Sequence, residues 1–323
     1  MSKTIKVLAI DGGGIRGIIP AMILAEIENI TQKPISSLFD LIAGTSTGGI
    51  LGLGLAKPND EGVAAYSARD MINLYEEEGP KIFSRNIVHR ARSLGNIIDE
   101  KYPSSGIDQV LEKYFGETRL KDALTDVVVI SYEIERRISW FFKSVKAKQN
   151  PQSADFSMKD VARSTSAAPT YFEANRIDVG TEAEYYAFID GGVFANNPAM
   201  CAYVEAKNKY PDGDKIMVVS LGTGMRTDRI AFDKAKNWGL AKWVQPLLGV
   251  VFDGVDNTVD YQLNTLLAGS GDYFRFQTRL DEGSDEIDNV SPENMRDLKL
   301  LAERLIREKS TEIQNLCRRL ISE

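Results

Sequence analysis

The sequence predicts an α/β fold in which a mostly parallel central sheet is flanked by helices. Short apolar strands that end in glycine loops are followed by helical patterns, and this alternation occurs twice in the first 56 residues. The 323 residues are 43% hydrophobic, which is enough for one large core, and no repeat or linker-like stretch divides them. We therefore expect one domain over residues 1–323, with a motif-bearing core at about 5–225 and a largely helical part at about 226–323.

The first elements follow from local patterns. Residues 5–10 are rich in residues that favour β-strands and are predicted to form a strand that ends at Asp11-Gly12-Gly13-Gly14. Isoleucines at 19, 23, 27 and 30 then recur on one face of a predicted helix. A second buried strand is predicted at 38–43, and the glycine-rich run from Gly44 leads into an apolar helix. Further strands are predicted at 126–132, 138–142, 185–189 and 216–221, and further helices at 64–78, from Asn197-Pro198 onward, and at 291–321.

Composition and charge exclude several classes of protein. The net charge is −7, with 39 basic against 46 acidic residues, whereas a protein that binds duplex nucleic acid normally carries a basic surface. Cys201 and Cys317 are the only cysteines, which suits a reducing cytoplasm and provides no zinc site. The N-terminus has no long apolar run, and no stretch approaches the ~20 residues of a membrane span. We expect a soluble, cytoplasmic protein.

Ser46 is the candidate nucleophile. Gly44-Thr45-Ser46-Thr47-Gly48 is a G-x-S-x-G sequence that lies between a predicted strand and a predicted helix. A serine on such a tight turn is exposed to substrate and lies near the helix N-terminus, where negative charge is favoured. The alternative is a structural glycine turn with an inactive serine.

A serine nucleophile needs a base, and the sequence contains a single histidine, His89. His89 lies in a basic stretch with Lys81, Arg85, Arg90 and Arg92. An α/β-hydrolase triad requires a histidine late in the chain, so this arrangement is disfavoured, although a triad of unusual order stays open.

Asp190 is the preferred base. It follows the predicted strand at 185–189 and precedes Gly191-Gly192. Because the carboxyl ends of parallel strands share one edge of a sheet, Asp190 and Ser46 are expected to meet there. Partial burial would raise the carboxyl pKa from ~3.9 towards a useful value. The alternative is an aspartate that caps the adjacent turn.

The run Gly12-Gly13-Gly14-Ile15-Arg16-Gly17 is a candidate anion-binding loop. Successive glycine N–H groups at the start of a helix bind negative charge, such as the oxyanion of an acyl tetrahedral intermediate. Arg16 either adds a positive charge or fixes the loop. The same residues match the G-x-G-x-x-G dinucleotide fingerprint, but the acidic residue expected at the end of the second strand is missing, which disfavours an oxidoreductase.

These motifs resemble the patatin-like phospholipases. The matching blocks are Asp11 to Gly17, Gly44 to Gly48 and Asp190 to Gly192, with supporting similarity at 162–172 and 220–224. The resemblance implies a three-layer fold and a phospholipase A-type lipid acyl hydrolase, a carboxylic-ester hydrolase that works without a metal or cofactor. It also implies Ser46 as nucleophile, Asp190 as base, and an oxyanion hole formed by Gly12, Gly13 and Gly14 with assistance from Arg16.

Within that family, the absence of a signal peptide makes the chain look similar to bacterial cytosolic members. Some of those are anti-phage effectors that a cyclic nucleotide activates, so such an activator is a possible partner. The alternative from a different class is a nucleotide-binding or storage protein on the same fold. The sequence leaves the oligomeric state open.

A phospholipase must contact a membrane phospholipid surface, so we expect peripheral action at the membrane. Two of the three tryptophans, Trp238 and Trp243, lie in an apolar segment at 237–248 that suits an interface. The basic stretch at 81–92 would meet anionic headgroups. The alternatives are a helix that faces the core and a solvated loop.

Overall fold

A computed structural model describes residues 3–84, 101–180, 184–211, 215–227 and 229–322. The strands of the described residues are β1 (Thr4–Ile10), β2 (Leu41–Thr45), β3 (Asp126–Glu133), β4 (Ile138–Lys143), β5 (Asn175–Asp178), β6 (Tyr185–Asp190), β7 (Lys215–Leu221) and β8 (Tyr273–Phe276). They form one sheet. The parallel part has the order β3-β2-β1-β7-β8, while β4 and β6 pair antiparallel with β3, and β5 pairs antiparallel with β6.

Helices connect and cover these strands. They are α1 (Ile18–Thr31), α2 (Ile35–Leu38), α3 (Thr47–Ala56), α4 (Ala68–Asn73), α5 (Gly79–Ile82), α6 (Ser105–Phe115), α7 (Ser144–Gln149), α8 (Pro151–Ala154), α9 (Met158–Thr165), α10 (Gly192–Ala195), α11 (Ala199–Lys209), α12 (Phe232–Ala235), α13 (Leu240–Leu266), α14 (Pro292–Glu308) and α15 (Ser310–Ile321). Short 3₁₀ helices occupy Gly14–Gly17 and Leu120–Asp122, and a π-helix occupies Leu74–Glu78. Among the helices of the described residues, none has both the length and the apolar character that a membrane span requires.

The core lies on both faces of the sheet. Leu8 and Ile10 of β1 pack into one hydrophobic cluster with α1, α3, α14 and α15, whereas Val7 and Ala9 pack into a second cluster with α11 and α13. This separation follows from the two-residue periodicity of a strand. The predicted α/β class, with a mostly parallel sheet between helical layers, is confirmed. The division into a core and a helical C-terminal part stays a prediction.

Several predicted bounds differ from the structure. Leu38 ends α2 instead of opening β2, and Ile30 is exposed, so the predicted apolar face of α1 is wrong at that position. The predicted helix at 291–321 is two helices, because Lys309 leaves helical geometry and the bend allows both α14 and α15 to pack against α1. Helix α11 begins at Ala199, whose N–H donates to the side-chain oxygen of Asn197 (3.0 Å).

Candidate active site

Ser46 lies at a strained turn between β2 and α3. Its backbone has φ 55° and ψ −124°, a left-handed conformation that a residue other than glycine adopts at a cost of about 1–3 kcal/mol. The two glycines of the motif are required by close packing of the backbone. A Cβ on Gly44 would lie 2.2 Å from the carbonyl oxygen of Gly48, and one on Gly48 would lie 2.1 Å from that of Ile10. The turn therefore holds the Ser46 side chain outward at the carboxyl end of β2.

Thr165 of α9 fixes this turn from the side. The Ser46 N–H donates to the Thr165 hydroxyl (2.8 Å), and that hydroxyl donates to the carbonyl of Ile130 in β3 (2.6 Å). Thr165 is completely buried, so both bonds are shielded from water. Thr165 lies in the supporting block at 162–172, but no individual role was predicted for it.

The register of β3 brings Asp190 to Ser46. Since β4 pairs with one edge of β3 along residues 128–133, β2 and β6 must occupy its other edge in succession. The last residue of β2, Thr45, is opposite Ile130, and the last residue of β6, Asp190, is opposite Ser131. Strand β6 is antiparallel, so the expectation that Asp190 reaches Ser46 from a parallel strand is wrong. The two strands instead meet end to end.

Hydrogen bonds hold the Asp190 carboxylate next to Ser46. The carboxylate accepts from the N–H of Gly192 (2.7 Å), while the backbone N–H of Asp190 donates to the carbonyl of Ala167 (3.0 Å). Ser46 and Asp190 line the same pocket, and the Ser46 hydroxyl is near enough to affect the pKa of the carboxyl group. Asp190 is 4% exposed. Burial raises its pKa to about 7, against the opposing effects of the Ser46 hydroxyl and the Gly192 N–H. A carboxylate with that pKa is suited to proton transfer near neutral pH.

The glycine loop offers two free amides. The Gly12 N–H donates to the carbonyl of Asn196 (3.0 Å), and the Ile15 N–H donates to that of Ile287 (2.8 Å). Within the described residues, the N–H groups of Gly13 and Gly14 donate to no partner, and both glycines line the pocket at Ser46. The structure differs from the prediction at Gly12, because its N–H is engaged in holding the loop to Asn196.

Arg16 is directed into the protein. Its guanidinium donates to the carbonyls of Gly13 (3.4 Å) and Asp285 (3.3 Å), and the residue is 6% exposed. Burial, together with the positive charge of Arg226, lowers the pKa of Arg16 to about 10. Of the two predicted roles, the observed contacts correspond to fixing the loop, since Arg16 does not line the pocket.

Asn196 connects the glycine loop to α13. Its backbone carbonyl accepts from Gly12, and its side-chain amide donates to the carboxylate of Asp256 (3.1 Å). Burial and the negative charge of Asp11 raise the pKa of Asp256 to about 7. Neither Asn196 nor Asp256 was predicted as a site residue. The only signal in the sequence was the position of Asn196 shortly after the Asp190-Gly191-Gly192 block.

The pocket beside Ser46 is predominantly apolar. Its lining combines Gly13, Gly14, Ser46, Asp190 and Asn196 with the hydrophobic residues Ile15, Ile50, Leu74, Tyr75, Ile82, Phe83, Ile107, Tyr171, Phe172, Phe252 and Ile287. A lining of this kind suits a hydrocarbon chain next to an esterified carbonyl.

Among the residues that the structure describes there is neither a candidate metal site nor a histidine. In the described ranges, no group of three or more His, Cys, Asp and Glu side chains lies close enough to hold a metal ion. His89 and the basic residues Arg85, Arg90 and Arg92 lie outside the described residues. Lys81 is described, and its ammonium pairs with Glu78 (2.6 Å).

The site combines three features that are typical of serine hydrolases with lipid-like substrates. These are a serine on a strand-turn-helix motif, a buried carboxylate and an apolar pocket.

Comparison with known proteins identifies the family. The model of the patatin-like phospholipase family matches residues 8–203. Patatin-like protein 1 of Oryza sativa subsp. indica is 32% identical, with 96% of this chain and 83% of that protein covered. Patatin-like protein 2 of Arabidopsis thaliana is 33% identical, with coverage of 84% and 75%.

The chain belongs to the patatin-like phospholipase family, as the resemblance of its motifs predicted. This membership supports a lipid hydrolase activity. VipD from Legionella pneumophila is a solved structure with 12% identity and a TM-score of 0.35, over 94% of this chain and 67% of VipD, and at that score it supports no inference. Similarity to the bacterial cytosolic members stays a prediction.

Proposed function

We propose that the protein is a phospholipase A-type carboxylic-ester hydrolase that releases fatty acids from membrane phospholipids. The observation that carries the proposal is the proximity of the Ser46 hydroxyl to a buried Asp190 with a pKa of about 7, at the edge of an apolar pocket. The family membership supports the class of reaction.

In the acylation step, the Ser46 oxygen attacks the ester carbonyl carbon while Asp190 accepts the hydroxyl proton. The negative charge then forms on the former carbonyl oxygen, where the N–H groups of Gly13 and Gly14 are free to donate. One such donor contributes about 2.7–4 kcal/mol to transition-state stabilisation. The C–O bond to the glycerol oxygen breaks, and Asp190 returns the proton to that leaving oxygen, which releases a lysophospholipid and leaves the acyl group on Ser46.

Deacylation repeats the chemistry with water. Asp190 accepts a proton from the water molecule as its oxygen attacks the acyl carbonyl carbon. The intermediate collapses, the bond to the Ser46 oxygen breaks, and Asp190 returns the proton to that oxygen. The fatty acid leaves and the enzyme is regenerated. The raised pKa of Asp190 matters because a carboxyl group near neutrality both accepts and returns a proton readily.

Fatty-acid release from phospholipid vesicles tests this proposal. Ser46→Ala is expected to abolish turnover, and Asp190→Asn to lower it by about 10²–10⁴, the usual contribution of a general base. Replacement of the exposed Asp60 by asparagine is the matched control and is expected to retain activity. Activity that survives in Ser46→Ala would exclude the mechanism. Running the assay with and without cyclic nucleotides tests the predicted activator.

A further inference from the structure

The segment at 229–252 has the opposite charge to the chain as a whole. It contains four basic residues, Arg229, Lys234, Lys236 and Lys242, and one acidic residue, Asp233, in a chain with a net charge of −7. Lys236 pairs with Asp233 (2.9 Å). The other three cations are exposed and form no ion pair with any residue that the structure describes. Three positive charges are thus available to a partner.

The same segment exposes large apolar side chains. Phe232 is 73% exposed and Leu247 50%, and Ile230, Val250 and Val251 are also exposed. Trp238 and Trp243 lie between Phe232 and Leu247 in the sequence. Their half-buried rings pack edge to face, with centroids 5.2 Å apart. Exposed apolar and aromatic side chains interleaved with lysines are typical of surfaces that bind at the boundary between lipid headgroups and acyl chains.

This surface continues into the active-site pocket through α13. Phe252, which directly follows the exposed pair Val250 and Val251, lines the pocket and lies against Gly192. Asp256, one helical turn further, accepts from Asn196, which holds the glycine loop. One helix therefore carries both exposed apolar residues and part of the pocket wall.

We propose that residues 229–252 form the surface that docks on an anionic phospholipid bilayer. The proposal rests on the proposed function, because a bilayer is the partner only if the pocket takes phospholipid. A bilayer fits both properties of the segment: its headgroups complement the three unpaired cations, and its acyl region takes up Phe232 and Leu247. Of the basic stretch predicted at 81–92, residues 85–92 lie outside the described residues, and Lys81 pairs with Glu78.

Vesicle binding in the Ser46→Ala background tests the docking surface without hydrolysis. The probes are phosphatidylcholine vesicles with and without one quarter phosphatidylglycerol. The triple variant Arg229→Gln, Lys234→Gln, Lys242→Gln is expected to bind the anionic vesicles about 100-fold more weakly, at a factor of about five for each cation near the surface. Its binding should also depend less on salt.

The matched control is the triple variant Lys33→Gln, Lys146→Gln, Lys207→Gln. These lysines are likewise exposed and unpaired among the described residues, but they lie near the amino ends of the parallel strands, at the opposite edge of the sheet from Ser46. This variant changes the net charge equally. It is expected to bind the anionic vesicles within about twofold of the parent, because screening confines the effect of a charge to about 10 Å.

A second pair of variants tests the apolar contribution. Leu247→Ser is expected to weaken binding to both kinds of vesicle, because it removes an inserted side chain. Leu266→Ser is the control, since Leu266 is also well exposed on α13 but lies roughly 28 Å along the helix from Leu247. Hydrolysis of a monomeric short-chain ester, measured with Ser46 intact, reports whether the pocket is folded.

The outcomes separate this proposal from the proposed function. The docking surface is refuted if the parent protein does not bind anionic vesicles, or if the 229–252 variants bind as well as their controls. It is also refuted if those variants leave vesicle binding unchanged and instead change the sedimentation coefficient of the free protein. That result would indicate that the segment is an interface between copies of this chain. Normal vesicle binding by a chain that hydrolyses neither ester nor phospholipid would contradict the proposed function alone.

Discussion

Asp190→Asn is expected to stabilise the fold at alkaline pH. Burial raises the pKa of Asp190 from 3.8 to about 7, so the folded protein binds this proton more tightly than the unfolded chain does. Ionising Asp190 in the folded state therefore costs stability, and the difference between the two pKa values corresponds to roughly 4 kcal/mol. Asparagine has nearly the same shape and keeps an oxygen that can accept from Gly192, without the buried charge.

The sign and the pH window follow from the raised pKa. Well below pH 3.8, Asp190 is protonated in both the folded and unfolded states, and the wild type has no penalty. Between pH 4 and 7 the unfolded chain loses this proton before the folded one, so the stability of the wild type falls. Above pH 7 the full penalty is present. The gain of Asp190→Asn should therefore be about 1 kcal/mol at pH 4.5 and approach about 4 kcal/mol at pH 8.

Urea unfolding at pH 4.5, 6 and 8 measures this difference, with Asp60→Asn as an exposed control. The control should change the free energy of unfolding by less than about 0.5 kcal/mol at each pH. The reasoning would be refuted by an Asp190→Asn protein that is less stable than the wild type at pH 8. It would also be refuted by a stability difference that is the same at all three pH values.

Three other predictions concern the candidate active site. The kcat/KM for a monomeric ester should rise with pH through an inflection near 7, as Asp190 loses its proton, and a rate that is flat from pH 5 to 8 would contradict its role as base. Thr165→Val leaves the Ser46 N–H and the Ile130 carbonyl unpaired and should cost about 1–3 kcal/mol per group in urea unfolding, whereas Thr165→Ser should retain most of that stability. Ile107→Trp narrows the apolar pocket and should shift the preference in a chain-length series towards shorter acyl esters, whereas unchanged preference would place the chain elsewhere.

The turn at Ser46 was predictable because its determinants are local. Gly44 and Gly48 are needed where backbone atoms approach within about 2 Å of a Cβ position, and both lie within two residues of the serine. The strand before the turn and the helix after it follow from hydrophobic runs of a few residues. Short-range patterns of this kind can be recognised in a single sequence.

The arrangement around Asp190 was not predictable from such patterns. The sequence of β6 does not indicate whether the strand runs parallel or antiparallel to β3. Only the assembled sheet shows that the carboxyl end of β6 meets the carboxyl end of β2. The contact between Asn196 and Asp256 joins residues 60 positions apart and carries no motif. The engagement of Gly12 by the carbonyl of Asn196 is likewise a backbone contact that no side-chain identity signals.

The geometry of Asp190 explains how two side chains suffice for the proposed chemistry. In a serine triad, the third residue holds the base in the correct orientation. Here the backbone does so. The N–H of Asp190 is bound by the carbonyl of Ala167, and its carboxylate is bound by the N–H of Gly192, so one oxygen is held in place. The burial that makes this carboxylate basic is also what makes its charge costly, and the proposed activity and the predicted gain in stability of Asp190→Asn therefore share one physical cause.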